Sequence, residues 1–318
     1  MTSKNLVADL GGTNIRFALV DSGATELQSI VKYSINDYES LEHLIEVYLE
    51  AQGCPVADID SACIAIAGPV VNQRVQMTNC SWLITAENLE QALGLNRAVL
   101  INDFEAIAHS VMSLDASGLM DIGSASDLQS GPISVFGPGT GLGAAVVLPT
   151  ADQTMIIPTE GGHAGLSART DDELLIFNDW RDKGCRINRE FFVCGSGILR
   201  IFETLCEDTG SNDYKTMSVV EIQQQGCRGE HAIAQRTMEI FCSFLGSAAG
   251  DQVLCTGSTG GLVLAGGILP KFPEFLQQSP FRQRFESKGA MSDYTKGVPS
   301  KLIVEEQPGL IGAAAYLN

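Results

Sequence analysis

Two glycine-rich turns, each set in apolar strand sequence, carry the residue types best suited to chemistry. The first is Asp9-Leu10-Gly11-Gly12-Thr13-Asn14. The second is Gly137-Pro138-Gly139-Thr140-Gly141-Leu142-Gly143. A glycine pair permits positive φ and leaves backbone amides uncovered, so both turns could approach a phosphate. Thr13 and Asn14 can donate to phosphate oxygens, and Asp9 could hold a hydrated Mg2+. Alone, the first turn is as readily an ordinary hairpin turn. The run Gly139–Ala144 also fits the dinucleotide pattern G-x-G-x-x-A, with Glu160 about twenty residues on. That pattern requires a helix after the turn, and Ala145-Val146-Val147-Leu148-Pro149 reads as a strand stopped by proline. No Walker or protein-kinase motif occurs, so any phosphate cradling falls to these two turns, with one nucleotide held between two similar halves.

Acid–base candidates follow. Asn102-Asp103 ends the strand Ala98–Ile101. A carboxylate there could accept a proton from a hydroxyl nucleophile, or it could cap the helix that begins near Phe104. Glu160-Gly161-Gly162-His163 aims a carboxylate and an imidazole from one tight turn, a pairing suited to a polyhydroxylated ligand whose hydroxyls both donate and accept. Glu190 stands before Phe191-Phe192-Val193, and by itself reads as a solvated charge. Leu262-Val263-Leu264-Ala265-Gly266-Gly267 is a strand entering a glycine pair, against which a flat base could lie, or a tight strand–helix turn.

The elements that must position these residues read as alternating strand and helix. Leu6–Leu10 and Ile15–Val20 flank the first turn, with a third strand near Ile30–Tyr33. Leu41, Leu44, Ile45, Tyr48 and Leu49 recur at helical spacing behind Ser40, an N-cap. Ser61–Ala67, Ala98–Ile101 and Leu262–Ala265 read as buried strands, and Ile133–Phe136 and Ala144–Leu148 read as strands. Helices are expected near Asp172–Asp182 and Ile198–Cys206. A longer one carries Ala234, Met238, Phe241, Leu245 and Ala248, and the last lies near Leu310–Leu317. That last helix is apolar enough to need cover, so it is expected to pack back on the N-terminal domain. The pattern is α/β, with polar residues at strand ends, where open sheets place ligands.

The 318 residues, 45% of them hydrophobic, suffice for about two domains. The net charge of −18 opposes a nucleic-acid partner. Nine scattered cysteines include no Cys-x-x-Cys pair, which points to reduced thiols and a cytoplasmic protein rather than a disulfide framework or zinc site. No stretch approaches the roughly 18 apolar residues that span a bilayer, so no membrane partner is expected.

Taken together, these segments resemble the bacterial glucokinase family, within the sugar kinase, Hsp70 and actin superfamily. The likeness runs in order from Leu6 to Leu317. It implies a two-domain actin-like ATPase (ribonuclease H-like) α/β fold with a cleft, a small domain of residues 1–110 and 298–318, and a large domain of residues 111–297. It also implies an ATP-dependent glucokinase using Mg2+ and working as a homodimer. By the same resemblance Asp9, Gly11, Gly12, Thr13 and Asn14 form the first phosphate loop, and Gly139 and Thr140 belong to the second. Gly266 and Gly267 serve the adenosine, and Asp9 holds Mg2+ through water. Asn102, Asp103, Glu160, His163 and Glu190 match the family's glucose contacts, with Asp103 as catalytic base. Gly141 adds a backbone contact, and Thr78-Asn79 opens the sugar-side loop. Repressor-related sugar kinases carry a zinc-binding cysteine cluster after Glu-Gly-Gly-His. Ala164-Gly165-Leu166-Ser167 follows here, and the sequence opens on the first phosphate strand; both favour a zinc-free kinase over a regulator. A kinase of another hexose or an amino sugar, and a non-catalytic sugar sensor on the same fold, are the alternatives.

Overall fold

The computed structural model describes residues 3–77, 80–123, 127–150 and 153–318. The chain divides into two compact units, Met1–Asp115 with Glu305–Asn318, and Ala116–Val304.

In the first unit, β1 (Lys4–Leu10) and β2 (Asn14–Asp21) form a hairpin across the first glycine turn, followed by β3 (Gln28–Ser34) and α1 (Leu41–Ala51). Then come β4 (Ile59–Ile66), the short hairpin β5 (Arg74–Gln76) and β6 (Leu83–Thr85), α2 (Ala86–Leu93), β7 (Arg97–Asn102) and α3 (Asp103–Ser110). The sheet order is β3-β2-β1-β4-β7, with β4 parallel to both β1 and β7. Strands covered on both faces read as continuous apolar runs, as Leu6-Val7-Ala8 and Ala62–Ile66 do. On one face Leu6, Phe17 and Ile64 meet the stripe Leu41, Leu44, Ile45 and Tyr48 of α1. That helix starts where it does because the Ser40 hydroxyl accepts from His43 N at 3.2 Å.

The second unit begins with β8 (Leu119–Asp121), β9 (Ile133–Pro138), β10 (Leu142–Pro149) and β11 (Thr154–Thr159). Helices α4 (Asp171–Asp182), α5 (Arg189–Phe192), α6 (Gly195–Thr209), α7 (Val219–Cys227) and α8 (Ala232–Thr256) follow. The unit ends with β12 (Gly261–Leu264), α9 (Pro273–Gln278), α10 (Phe281–Glu286), α11 (Ser292–Lys296) and β13 (Ser300–Ile303). Its sheet runs β11-β10-β9-β12-β13-β8. The strand expected after the second glycine turn is β10, so the helix a dinucleotide fingerprint needs is absent there. Because β13 is hydrogen-bonded to β12 and β8, the chain returns to the first unit at Glu305, after the expected 298.

The two sheets share one plan. Each has an antiparallel hairpin across a glycine turn, a third antiparallel strand on one side of it and two parallel strands on the other; the second sheet adds antiparallel β8 at its far edge. The weak strand–turn–strand echo in the sequence is thus a repeated topology.

The last helix, α12 (Pro308–Leu317), belongs to the first unit. Its Leu310, Ala313 and Ala314 cover Val7, Ala18, Cys63, Val99 and Ala106, all buried. Gly312 lets α12 lie directly on α3, since a Cβ there would overlap the Ala106 carbonyl.

Candidate active site

In the first unit the chemistry gathers where β1 and β7 end. Of the two roles that the sequence left open, the helix cap falls to Asn102 rather than Asp103. Asn102 is the cap of α3: its Oδ1 accepts from Phe104 N at 2.8 Å and Glu105 N at 3.3 Å. Its Nδ2 donates to Gly68 O at 2.9 Å, which ties the end of β7 to the turn after β4. Asp103 is thereby the first residue of α3 and is not needed as its cap. Its Oδ1 accepts from its neighbour Phe104 N at 2.9 Å, and hydrogen bonds with the Asn102 side chain and its own backbone also bear on the carboxyl. Burial is the largest influence on this carboxyl and pushes it up from 3.8 to about 6. The Phe104 hydrogen bond pulls the other way, and the nearby Asp9 charge raises it further. A carboxyl near that value is a competent base at neutral pH, ionised yet basic enough to take a proton.

Asp9 lies within β1, and burial raises its carboxyl too, opposed by the Arg16 guanidinium 3.8 Å away. Arg16 was not singled out in the sequence; its signal is period-2 alternation, which puts it directly across the hairpin from Asp9. Gly309, at the start of α12, gives this carboxylate room, because a Cβ there would lie 3.2 Å from Asp9 Cγ. The turn itself is closed by Gly11 N donating to Asn14 O at 2.9 Å, and Asn14 Nδ2 donates to Thr13 Oγ1 at 2.8 Å. Gly12 lies at its tip. Thr78 and Asn79 lie outside the described residues.

In the second unit the glycines divide by task. A Cβ on Gly137 would run into the Ala265 backbone, and one on Gly266, at φ +86°, into the Pro138 carbonyl. These two residues let the ends of β9 and β12 touch. Gly139 and Gly267 face open space instead, and Thr140 beside Gly139 is exposed. Gly195 N donates to Gly139 O at 3.1 Å, which brings the start of α6 against the loop.

Glu160, His163 and Glu190 converge on this same loop. Glu190 Oε2 accepts from Leu142 N at 2.8 Å, and Gly141 is required beside it, because a Cβ would lie 2.5 Å from that oxygen. Glu190 Oε1 lies 4.0 Å from His163 Nδ1, and Glu160 Oε2 lies 3.9 Å from His163 Nε2. The Glu160 side chain is 89% exposed, so its carboxylate is accessible to a ligand. Gly161 and Gly162 are both needed for close packing. A Cβ on Gly162 would strike the Leu142 carbonyl, and one on Gly161 would lie 2.7 Å from Gln252 Oε1.

Two further residues brace the cluster. Buried Arg189 donates from Nη1 to Gly161 O at 3.1 Å and Gln252 Oε1 at 3.0 Å. Asn188 caps α5 and touches the His163 ring. The only sequence signal for them is an asparagine two residues ahead of Glu190, in the manner of a helix cap. Each unit therefore presents one glycine turn with carboxylates beside it: a titratable pair in the first, and a carboxylate–imidazole–carboxylate row in the second. Among the described residues no group of three metal-ligating side chains occurs.

A profile of the family described as Glucokinase matches residues 6–318. A curated glucokinase of Nitrobacter hamburgensis is 37% identical over 315 residues, covering 99% of this chain and 97% of its own. The crystal structure of a glucokinase from an Antarctic psychrotroph superposes with a TM-score of 0.88 at 34% identity, covering 100% of this chain and 99% of that one. A ROK-family glucokinase from Streptomyces griseus, solved with glucose and AMPPNP, has a TM-score of 0.65 at 19% identity, covers 98% of each chain, and speaks to fold alone. The actin-like ATPase architecture is common to these proteins.

Proposed function

The chain belongs to the glucokinase family and catalyses ATP-dependent phosphorylation of glucose; we propose that the Asp103 carboxylate is the base that takes the proton from the sugar's 6-hydroxyl as that oxygen attacks the γ-phosphorus of ATP. The observation that carries this reading is the division of labour at the end of β7. Asn102 has taken over the helix cap, which leaves the Asp103 carboxyl, pushed up to about 6 by burial, free of that duty. In the balanced step the oxygen–phosphorus bond forms, the bond from phosphorus to the bridging oxygen of ADP breaks, and the proton passes to Asp103.

Glu160, His163, Glu190 and the Gly141 backbone hold sugar hydroxyls, and Asn102 is a further sugar contact. Carboxylates accept and the imidazole can donate, which suits hydroxyls that need both. Gly11, Gly12, Thr13, Asn14, Gly139 and Thr140 serve the phosphates, where catalysis by positioning and charge stabilisation is expected. Gly267, with open space where a side chain would be, suits the nucleoside better than Gly266, whose missing side chain is occupied by Pro138. Asp9 fits Mg2+, because a burial-strained carboxylate with one long ion pair gains from a cation, and this ion keeps its waters and takes only one or two carboxylates besides phosphates. When bound it offsets triphosphate charge.

A homodimer and a cytoplasmic setting complete the proposal. All nine cysteines are free, as a reducing compartment keeps them, and among the described residues no helix is long and apolar enough to cross a membrane. The test of the base is Asp103→Asn, assayed for glucose-dependent ADP release. Turnover should fall on the order of 10²–10⁴ with most of the sugar affinity kept. Wild-type turnover by this variant would remove Asp103 from the mechanism.

A further inference from the structure

We propose that Asn188 is a positioning residue that fixes which nitrogen of His163 carries the proton, and so makes Nε2–H the hydrogen-bond donor offered to the sugar. This rests on the assignment of His163 as a sugar contact.

The argument begins with the amide's own orientation. Asn188 Oδ1 accepts from Phe191 N at 2.8 Å, as the cap of α5. Only an oxygen can fill that role, so the other end of the amide is the NH2 group. Nδ2 lies 3.1 Å from His163 Nδ1. An amide nitrogen there can only donate, so Nδ1 must accept, and the neutral ring then carries its hydrogen on Nε2. The alternative partner of Nδ1, Glu190 Oε1, is 4.0 Å away, beyond hydrogen-bond reach, while Oε2 of the same carboxylate is committed to Leu142 N. On the other side, Nε2 lies 3.9 Å from Glu160 Oε2, again too far to be satisfied by it. The Nε2 hydrogen is therefore unspent. The arrangement is held firmly: Arg189 N donates to Ala164 O at 2.9 Å, and Gly165 bridges Asn188, so the two segments are stapled together on either side of the contact.

The chemical consequence is selectivity in hydrogen bonding. Glu160 and Glu190 can only accept from sugar hydroxyls. A ring with its hydrogen on Nδ1 would turn it toward Asn188 and leave three acceptors facing the ligand. With the hydrogen on Nε2 the row reads acceptor, donor, acceptor, which a polyol can match.

Asn188→Asp separates this role from the cap. Aspartate is isosteric and an equally good N-cap, so α5 keeps its Phe191 N contact, but the carboxylate cannot donate to Nδ1. Asn188→Ser is a second variant that keeps a capping oxygen, adds no charge, and is too short to reach the ring. Full-length protein labelled with 15N-histidine has four histidines, and the His163 signal is the one lost in His163→Gln. Two-bond 15N–1H correlation near pH 8 should show a protonated Nε2 and a bare Nδ1 in the wild type, and loss of that single tautomer in both variants. Glucose KM should rise about tenfold in each, the cost of one misplaced donor, with ATP KM unmoved. Persistence of the Nε2–H form in both variants, or a wild-type ring protonated on Nδ1, would overturn the assignment to Asn188. Loss of the tautomer with unchanged glucose KM would instead overturn the reading of His163 as a sugar contact, leaving the tautomer assignment standing.

Discussion

Asp103→Asn should make the protein more stable as it makes it less active, and the gain should depend on pH. Burial raises the Asp103 carboxyl from 3.8 to about 6, so the folded state holds this proton more tightly than the unfolded chain does. For an acid raised in this way the favourable contribution is complete below the unfolded value and is lost as pH climbs through the folded one. At pH 8 the wild type therefore carries the cost of an ionised, buried carboxylate. A rise from 3.8 to about 6, at about 1.36 kcal/mol for each tenfold change in proton affinity, sets the ceiling at about 3 kcal/mol. Asparagine keeps the Oδ1 acceptor for Phe104 N, so the hydrogen bond survives and only the charge is removed. At pH 5 the same linkage leaves about half of that gain. Urea unfolding of wild type and variant at pH 5 and pH 8 measures the difference. A gain of about 1–3 kcal/mol at pH 8 that shrinks at pH 5 is expected. A gain that does not vary with pH, or a loss at pH 8, would refute the claim that this carboxylate is held at an energetic cost by its surroundings.

Other predictions follow from the same geometry. The kcat/KM for glucose should fall on the acid side with a midpoint near pH 6, because the proposed base, Asp103, accepts a proton only when ionised; an acid limb centred near the ordinary 3.8 in a pH-rate profile would contradict this. Gly141→Ala should fold normally, since its Cβ meets only the mobile end of Glu190, yet glucose KM should rise several-fold, on the order of 1 kcal/mol, as the carboxylate leaves Leu142 N; calorimetric glucose binding at wild-type strength would count against the convergence described for Glu190. Gly312→Ala should cost about 3 kcal/mol or more, because its Cβ overlaps the Ala106 carbonyl on the helix that begins with Asp103, and turnover should fall along with the thermal midpoint; a neutral result in a melting curve would refute the close crossing of α12 and α3.

The parts of this fold that sequence reveals are those with local causes. The hairpins at both glycine turns, the α1 start at Ser40 and the buried runs in β1 and β4 each follow from periodicity or a capping residue. Thr154–Thr159 gave no such signal: β11 is a short edge strand with Pro158 in it and several exposed residues, so neither alternation nor an apolar run marks it. At the site, Asn102 and Asp103 were legible as a pair, but their division into cap and carboxylate was not, because both residue types cap helices. Glu190 by itself read as a solvated charge. Its partner is the Leu142 amide, 48 residues away, and an amide leaves no mark in sequence. Only the resemblance placed it. Asn188 and Arg189 escaped for the same reason: their partners, the His163 ring and the Gly161 carbonyl, are set by packing rather than by spacing.

The position of α12 bears on how the protein is made. Residues 308–317 are translated after the whole Ala116–Val304 unit, yet they roof the sheet built from the earliest strands. A ribosome can thus release a finished second unit while Val7, Cys63 and Val99 still wait uncovered for the helix that will shield them. Nascent chains stalled before residue 308 should accordingly be favoured clients for holding chaperones.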